Sequence, residues 1–359
     1  MRPVTALPED PRVTRPATIV ALAALLLFSA GESAAQLNYN ETGYGVEPMD
    51  YSRVGTAGWQ FLKLPTDARS MAMGGVRSAA GYGTASSAFT NPASAADVRG
   101  FEVHFSTMEW VADIRTSGVS VVKEAGEWGT FGVNLVYVDY GDMQRTEIGE
   151  FNGQPGVVAV TEGLGTFSAH DMAVGILYAR RITDKLQLGG TIRYIREQLD
   201  DAVMGTWGVD IGTIYWTGLG SLRISMLGRN FGPDGEFTEY EGRIAQAPAS
   251  VRMPMLFVLG AGYDVVEPSV NSPHRLTVAG EYVKPNDAPE KFNLGAEYFG
   301  FDYFTFRAGY RFNYDEEGFT LGAGATYAVE DEFRLRVDFA YADLARFNDV
   351  MMFTVGVGF

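Results

Sequence analysis

From Phe101 to Phe359 apolar side chains alternate with polar or small ones, the two-residue period of a strand whose faces meet different surroundings. In Glu332–Ala342 the residues Phe333, Leu335, Val337, Phe339 and Tyr341 share one face, and Arg334, Arg336, Asp338 and Ala340 the other. Tyr303–Asn313 repeats the pattern, with Phe304, Phe306, Tyr310 and Phe312 opposing Thr305, Arg307, Gly309 and Arg311. Fourteen such strands are predicted: 101–110, 114–123, 128–139, 171–181, 184–196, 205–216, 220–230, 252–263, 274–283, 290–299, 303–313, 318–328, 332–342 and 349–359. Each is near the roughly 9–11 residues that a tilted membrane strand requires. Aromatics recur at their ends, where the girdles of an outer-membrane barrel sit.

The connections alternate as well. Those after strands 2, 4, 6, 10 and 12 are tight, while 140–170 and 231–251 are long, as expected of periplasmic turns and outer loops. The connection 267–273 is the one predicted turn that runs long. In the last strand Phe353, Val355, Val357 and the terminal Phe359 share a face, an ending that resembles the signal read by the outer-membrane insertion machinery. Lipid cannot hydrogen-bond a bare sheet edge, so a membrane sheet must close. The predicted fold is therefore all-β, a transmembrane outer-membrane barrel of about fourteen antiparallel strands. A soluble sandwich or propeller is the runner-up, but its polar face would be richer in Lys and Glu than the Gly, Thr, Asn and Arg/Asp found here.

The N-terminus reads differently. Arg2, Arg12 and Arg15 precede the uncharged run Ala17–Ala30, and Ser33-Ala34-Ala35 offers a signal-peptidase site. Residues 1–35 are thus expected to be a signal peptide, since the run is short of the roughly 20 residues of a membrane helix. Residues 36–56 are expected to be a periplasmic extension, 57–100 a plug inside the lumen and 101–359 the barrel.

Composition narrows the chemistry. With no cysteine and three histidines, thiol catalysis and Cys-ligated metals are excluded, and His104, His170 and His274 show no metal or triad spacing. A net charge of −16 argues against nucleic acid as a partner. No enzymatic activity, cofactor or resident metal is expected. Acidic loops such as Asp315-Glu316-Glu317 offer hard oxygen donors but no EF-hand spacing.

Residues 57–98 carry a resemblance. Phe61-Leu62, Ala68-Arg69, Met73-Gly74-Gly75 and Phe89-x-Asn91-Pro92-Ala93 are similar to the N-terminal elements of the PorV/PorQ family of outer-membrane proteins, which in fold resembles the FadL transporters. Ser94 departs from that family's usual Gly, and Gly83–Ser87 replaces its acidic residues. The resemblance implies a fourteen-stranded barrel plugged by its N-terminal segment, the motifs shaping the plug.

Inward positions hold Arg193, Arg223, Arg229, Arg307, Arg311, Arg334 and Arg336 with Asp210, Glu281, Glu297 and Asp338. They read either as an anion filter or as an ion-paired network that fills the lumen and holds the plug, and the second is favoured. On function the PorV/PorQ resemblance implies a part in type IX secretion, with translocon components and exported proteins bearing a C-terminal signal domain as partners beside lipid and the assembly machinery. Phe151, Val157, Val158, Phe237 and Tyr240 would then be loop anchors. The FadL-like alternative is a channel for hydrophobic small molecules such as fatty acids or aromatics. A generic anion pore is third.

Overall fold

The computed structural model describes residues 54–79, 83–145, 149–151, 154–159, 165–236, 250–268, 273–329 and 333–359. The expected signal peptide and nearly all of the expected extension 36–56 lie outside them.

Fourteen antiparallel strands close into a barrel among these residues. In chain order they are β1 (Phe101–Glu109), β2 (Arg115–Glu124), β3 (Thr130–Gln144), β6 (Thr166–Arg181), β7 (Leu186–Leu199), β8 (Ala202–Trp216), β9 (Arg223–Phe231), β10 (Leu256–Val266), β11 (Arg275–Pro285), β12 (Lys291–Gly300), β13 (Phe304–Phe312), β14 (Phe319–Val329), β15 (Phe333–Ala342) and β16 (Val350–Gly358). A small hairpin, β4 (Gly149–Phe151) with β5 (Gln154–Ala159), sits in the connection after β3. Each barrel strand pairs with its sequence neighbour, and β1 pairs with β16 to close the ring. The seam is finished by Phe101 N–H to Phe359 O at 2.9 Å and Phe359 N–H to Phe101 O at 2.8 Å.

The burial pattern is that of a soluble protein turned inside out. Large apolar residues such as Phe105, Ile176, Ile192, Ile211, Phe306 and Phe353 are exposed on the outer wall. Their inward neighbours Ser106, Asn134, Thr191, Asp210 and Thr354 are buried. Alternation therefore separates lipid from lumen rather than core from water. Tyr194 packs on Trp207 near the loop end, and Phe359 on Phe101 and Phe333 at the turn end, as members of two aromatic girdles.

Three strand ends depart by four or five residues from those the pattern predicts. The predicted strands 128–139 and 171–181 grow into β3 and β6 because Asp142, Met143 and Gln144 go on pairing with Ser168, Phe167 and Thr166 past a bulge. This shortens the connection expected over 140–170. The strand predicted from 252 begins only at Leu256: Pro254 has no N–H to give a ladder, and Met253 turns inward and is buried.

Residues 57–79 and 83–98 lie within the lumen. They form a turn Gln60–Lys63, a short helix α1 (Ala68–Ala72) and two 3-10 turns, Ala85–Ala88 and Pro92–Asp97. Asp67 caps α1 by accepting from Ser70 N–H at 3.0 Å. Gly74 and Gly75, at φ 69° and 81°, end it in the left-handed region that glycine favours. The plug begins at the loop end, where Gly58 N–H meets Arg252 O at 3.0 Å, and finishes at the turn end in β1. The described tail of the segment expected in the periplasm, Val54–Thr56, therefore leads into the barrel end opposite Phe101 and Phe359.

Candidate functional site

The candidate site is the contact between plug and inner wall, and it is layered. At the loop end Trp59, Phe61 and Leu62 of the plug pack with Phe89 and with Val136, Val138, Ala173, Ile195, Met204 and Met253 of wall and loop. Four of these ten apolar residues come from the plug, so inward strand positions alone do not reveal the cluster. Asp171 and Glu197 flank its upper edge on the wall, and Tyr140 donates to Asp171 at 2.5 Å.

Beneath it the plug meets the wall closely at several wall glycines, where a side chain would collide. A Cβ on Gly74 would lie 2.5 Å from Leu294 O, and one on the facing Gly309 2.0 Å from Gly74 N. Asn91 docks the same way: a Cβ on Gly212 would lie 2.0 Å from its Oδ1. That oxygen accepts from Ala93 N–H at 3.0 Å while the amide nitrogen donates to Ser78 O and Thr213 O, both at 3.2 Å. Pro92 then opens the second 3-10 turn with no N–H to lose. The motif residues Met73, Gly74, Gly75, Asn91 and Pro92 thus touch wall or plug backbone. Ala68 donates its N–H to Thr354 on β16 at 3.1 Å.

The inward charges pair with one another, across the contact at Arg69 and within the wall elsewhere. Glu297 on β12 accepts from Arg69 of the plug at 2.6 and 2.9 Å and from Arg307 on β13 at 2.7 Å. Arg307 also donates to Asp338 at 2.6 Å. Glu281 takes Arg77 N–H at 2.8 Å and the Ser78 hydroxyl at 2.6 Å. Arg193 donates to Asp210 at 2.5 Å, and Arg336 to Glu102 at 2.9 Å. Arg311 pairs with Glu317, and Arg223 donates to Ala79 O at 2.8 Å while lying 3.3 Å from Asp264. Arg334 is separate: it is exposed at the turn end. In the turn after β13, burial pushes the Tyr314 phenol above its ordinary range.

Two partners are not among the inward residues singled out by the pattern. Glu102 shares the inward parity of β1 with Ser106 and could have been found by it. Asp287, which holds Lys63 at 2.6 Å and Gln60 at 2.8 Å, lies in a loop where no period applies. Of the expected loop anchors, Phe151 falls on β4 and Val157 and Val158 on β5. Phe237 and Tyr240 lie outside the described residues. At the turn end a cavity of about 400 Å³ opens beside Arg99, Glu124, Glu127 and Arg181. Among the described residues no group of three or more His, Asp or Glu could hold a metal.

The barrel resembles the Ralstonia pickettii toluene transporter TbuX, with a TM-score of 0.52 at 14% identity over 82% of this chain and 97% of that one. It also resembles the Pseudomonas putida toluene transporter TodX, with a TM-score of 0.53 at 14% identity over 82% and 98%. A Pseudomonas aeruginosa FadL homologue gives 0.50 at 11% identity over 82% and 98%. The fold is that of a FadL-type outer-membrane barrel. No family model and no curated protein matches the sequence. The likeness thus rests on architecture, and within it the PorV/PorQ subgroup named by the plug motifs is not distinguished.

Proposed function

We propose that this barrel is a FadL-type channel that lets hydrophobic small molecules cross the outer membrane. The observation that carries the reading is the apolar cluster of Trp59, Phe61 and Leu62 against Ile195, Met204 and Met253, set at the loop end of the barrel and containing its large buried aromatic side chains Trp59, Phe61 and Phe89. Apolar solutes gain on leaving water for such a layer, by roughly 25 cal/mol per Å². Its side chains are close-packed, so a solute enters by displacing plug residues and not through a standing pore. Solved barrels of like fold include two toluene transporters, which supports the same solute class.

The plug motifs favour a second reading, a part in type IX secretion, in which the hairpin β4–β5 and the tall strands β3, β6, β7 and β8 present a surface to exported proteins. Deleting the gene separates the two. The channel reading expects slower uptake of toluene or a medium-chain fatty acid, with surface proteins unchanged. Loss of surface proteins that carry a C-terminal signal domain, with normal uptake, would overturn it in favour of secretion.

A further inference from the structure

One row of the inner wall breaks the lumen's habit of pairing its charges. The register sets Val138 on β3 beside Asp171 on β6, Asp171 beside Glu197 on β7, and Glu197 beside Met204 on β8. Val138 and Met204 belong to the apolar cluster, so two carboxylates interrupt its top row. The row beneath is Val136, Ala173, Ile195 and Thr206, the first three in the same cluster. Like charges directly opposite on neighbouring strands destabilise a sheet. Among the described residues neither acid has an ion-pair partner. Arg145 at the end of β3 is engaged by Asp200, and Arg193 and Arg196 on β7 by Asp210 and Gln198. Tyr140, which packs on the cluster, donates to Asp171 Oδ2 at 2.5 Å. Asp171 Oδ1 is buried without a partner, in a residue only 3% exposed. A buried carboxylate oxygen left bare is costly, so the row lacks a donor.

We infer that Asp171 and Glu197 bind the ammonium group of an apolar amine, whose alkyl or aryl tail lies against Trp59, Phe61 and Phe89. The site presupposes the channel reading and narrows its solutes to amines and neutral hydrocarbons. An ammonium carries three N–H donors and no acceptor, so one group meets Asp171 Oδ1 and Glu197 together and cancels their repulsion. The aromatic faces of the cluster attract a cation further. A neutral hydrocarbon gains from the apolar layer alone, and an apolar acid meets two like charges at the loop end. A hard metal ion fits less well. Calcium takes about six or more oxygen ligands, whereas the flanking side chains of this row are Val138 and Met204.

The test is thermal unfolding of the purified full-length protein in neutral detergent at about pH 8.5, where buried carboxyls of this kind are ionised. Phenethylamine, phenylacetate, phenethyl alcohol and calcium chloride are compared at equal ionic strength. Phenethylamine should raise the midpoint by about 2 °C or more above the rise given by phenethyl alcohol. Asp171→Asn and Glu197→Gln should each remove that excess. If Asp171→Asn does not assemble, Glu197→Gln, at a half-buried position, decides alone. Equal rises with amine and alcohol, a larger rise with phenylacetate, a calcium-induced rise lost in the variants, or an excess retained in Glu197→Gln would overturn the site. Uptake of labelled toluene and phenethylamine, by cells with and without the barrel, separates the site from the channel. If toluene enters through the barrel and the excess is absent, the site fails and the channel stands. If the excess is present and neither solute enters, the channel fails and the amine site stands.

Discussion

At the residue scale the plug is held by absent side chains and paired charges. Gly74→Ala places a Cβ 2.5 Å from Leu294 O at a residue whose φ is 69°. Strain and clash together should cost on the order of 2 kcal/mol or more. Gly126→Ala is the control: its φ is also positive, at 59°, but it faces open space and should cost only about 1 kcal/mol. Limited proteolysis of the solubilised barrel would show a plug cut faster in the first variant and not in the second. Glu297→Gln tests the charges. It strips Arg69 and Arg307 of their shared carboxylate, and breaking a buried pair in this way typically costs about 3–5 kcal/mol. Its unfolding midpoint should fall well below that of the unmutated protein, and pairing it with Arg69→Met should recover part of the loss. An unchanged midpoint would mean that Glu297 does not hold the plug.

At the element scale, closure depends on the last strand. Phe359 is 59% exposed yet touches Phe101 and Phe333, and its backbone completes the β1–β16 seam. Deleting it should lower the yield of assembled barrel in the outer membrane, measured by heat-dependent migration on gels. An unchanged yield would remove Phe359 from the assembly signal. Strands were legible because lipid and lumen impose opposite demands on successive residues, so Phe333 to Tyr341 could be sorted by parity alone. Boundaries were less so where something other than that alternation decides. Pro254 delays β10, and continued pairing beyond Asp142 lengthens β3. The plug has no period to read. Its residues stood out only by resemblance to known motifs, and their partners Gly309, Gly212 and Asp287 carry no signal of their own. The apolar cluster was hidden for a related reason, since Trp59 and Met253 meet only when plug, loop and wall are assembled.

At the scale of the whole molecule the filled lumen makes a definite demand. If apolar solutes pass, the loop end of the plug must leave its place. The chain has no cysteine, so a pair introduced there acts alone. A Cβ on Gly58 would lie 3.7 Å from that of Val251, within the spacing of a disulfide. The most direct measurement is uptake of labelled toluene by cells carrying Gly58→Cys with Val251→Cys, oxidised and then reduced. Uptake should fall to the level of cells without the barrel when the plug is locked, and recover on reduction. Equal uptake in the locked, reduced and barrel-free cells, or uptake that ignores the lock, would contradict a channel opened by the plug.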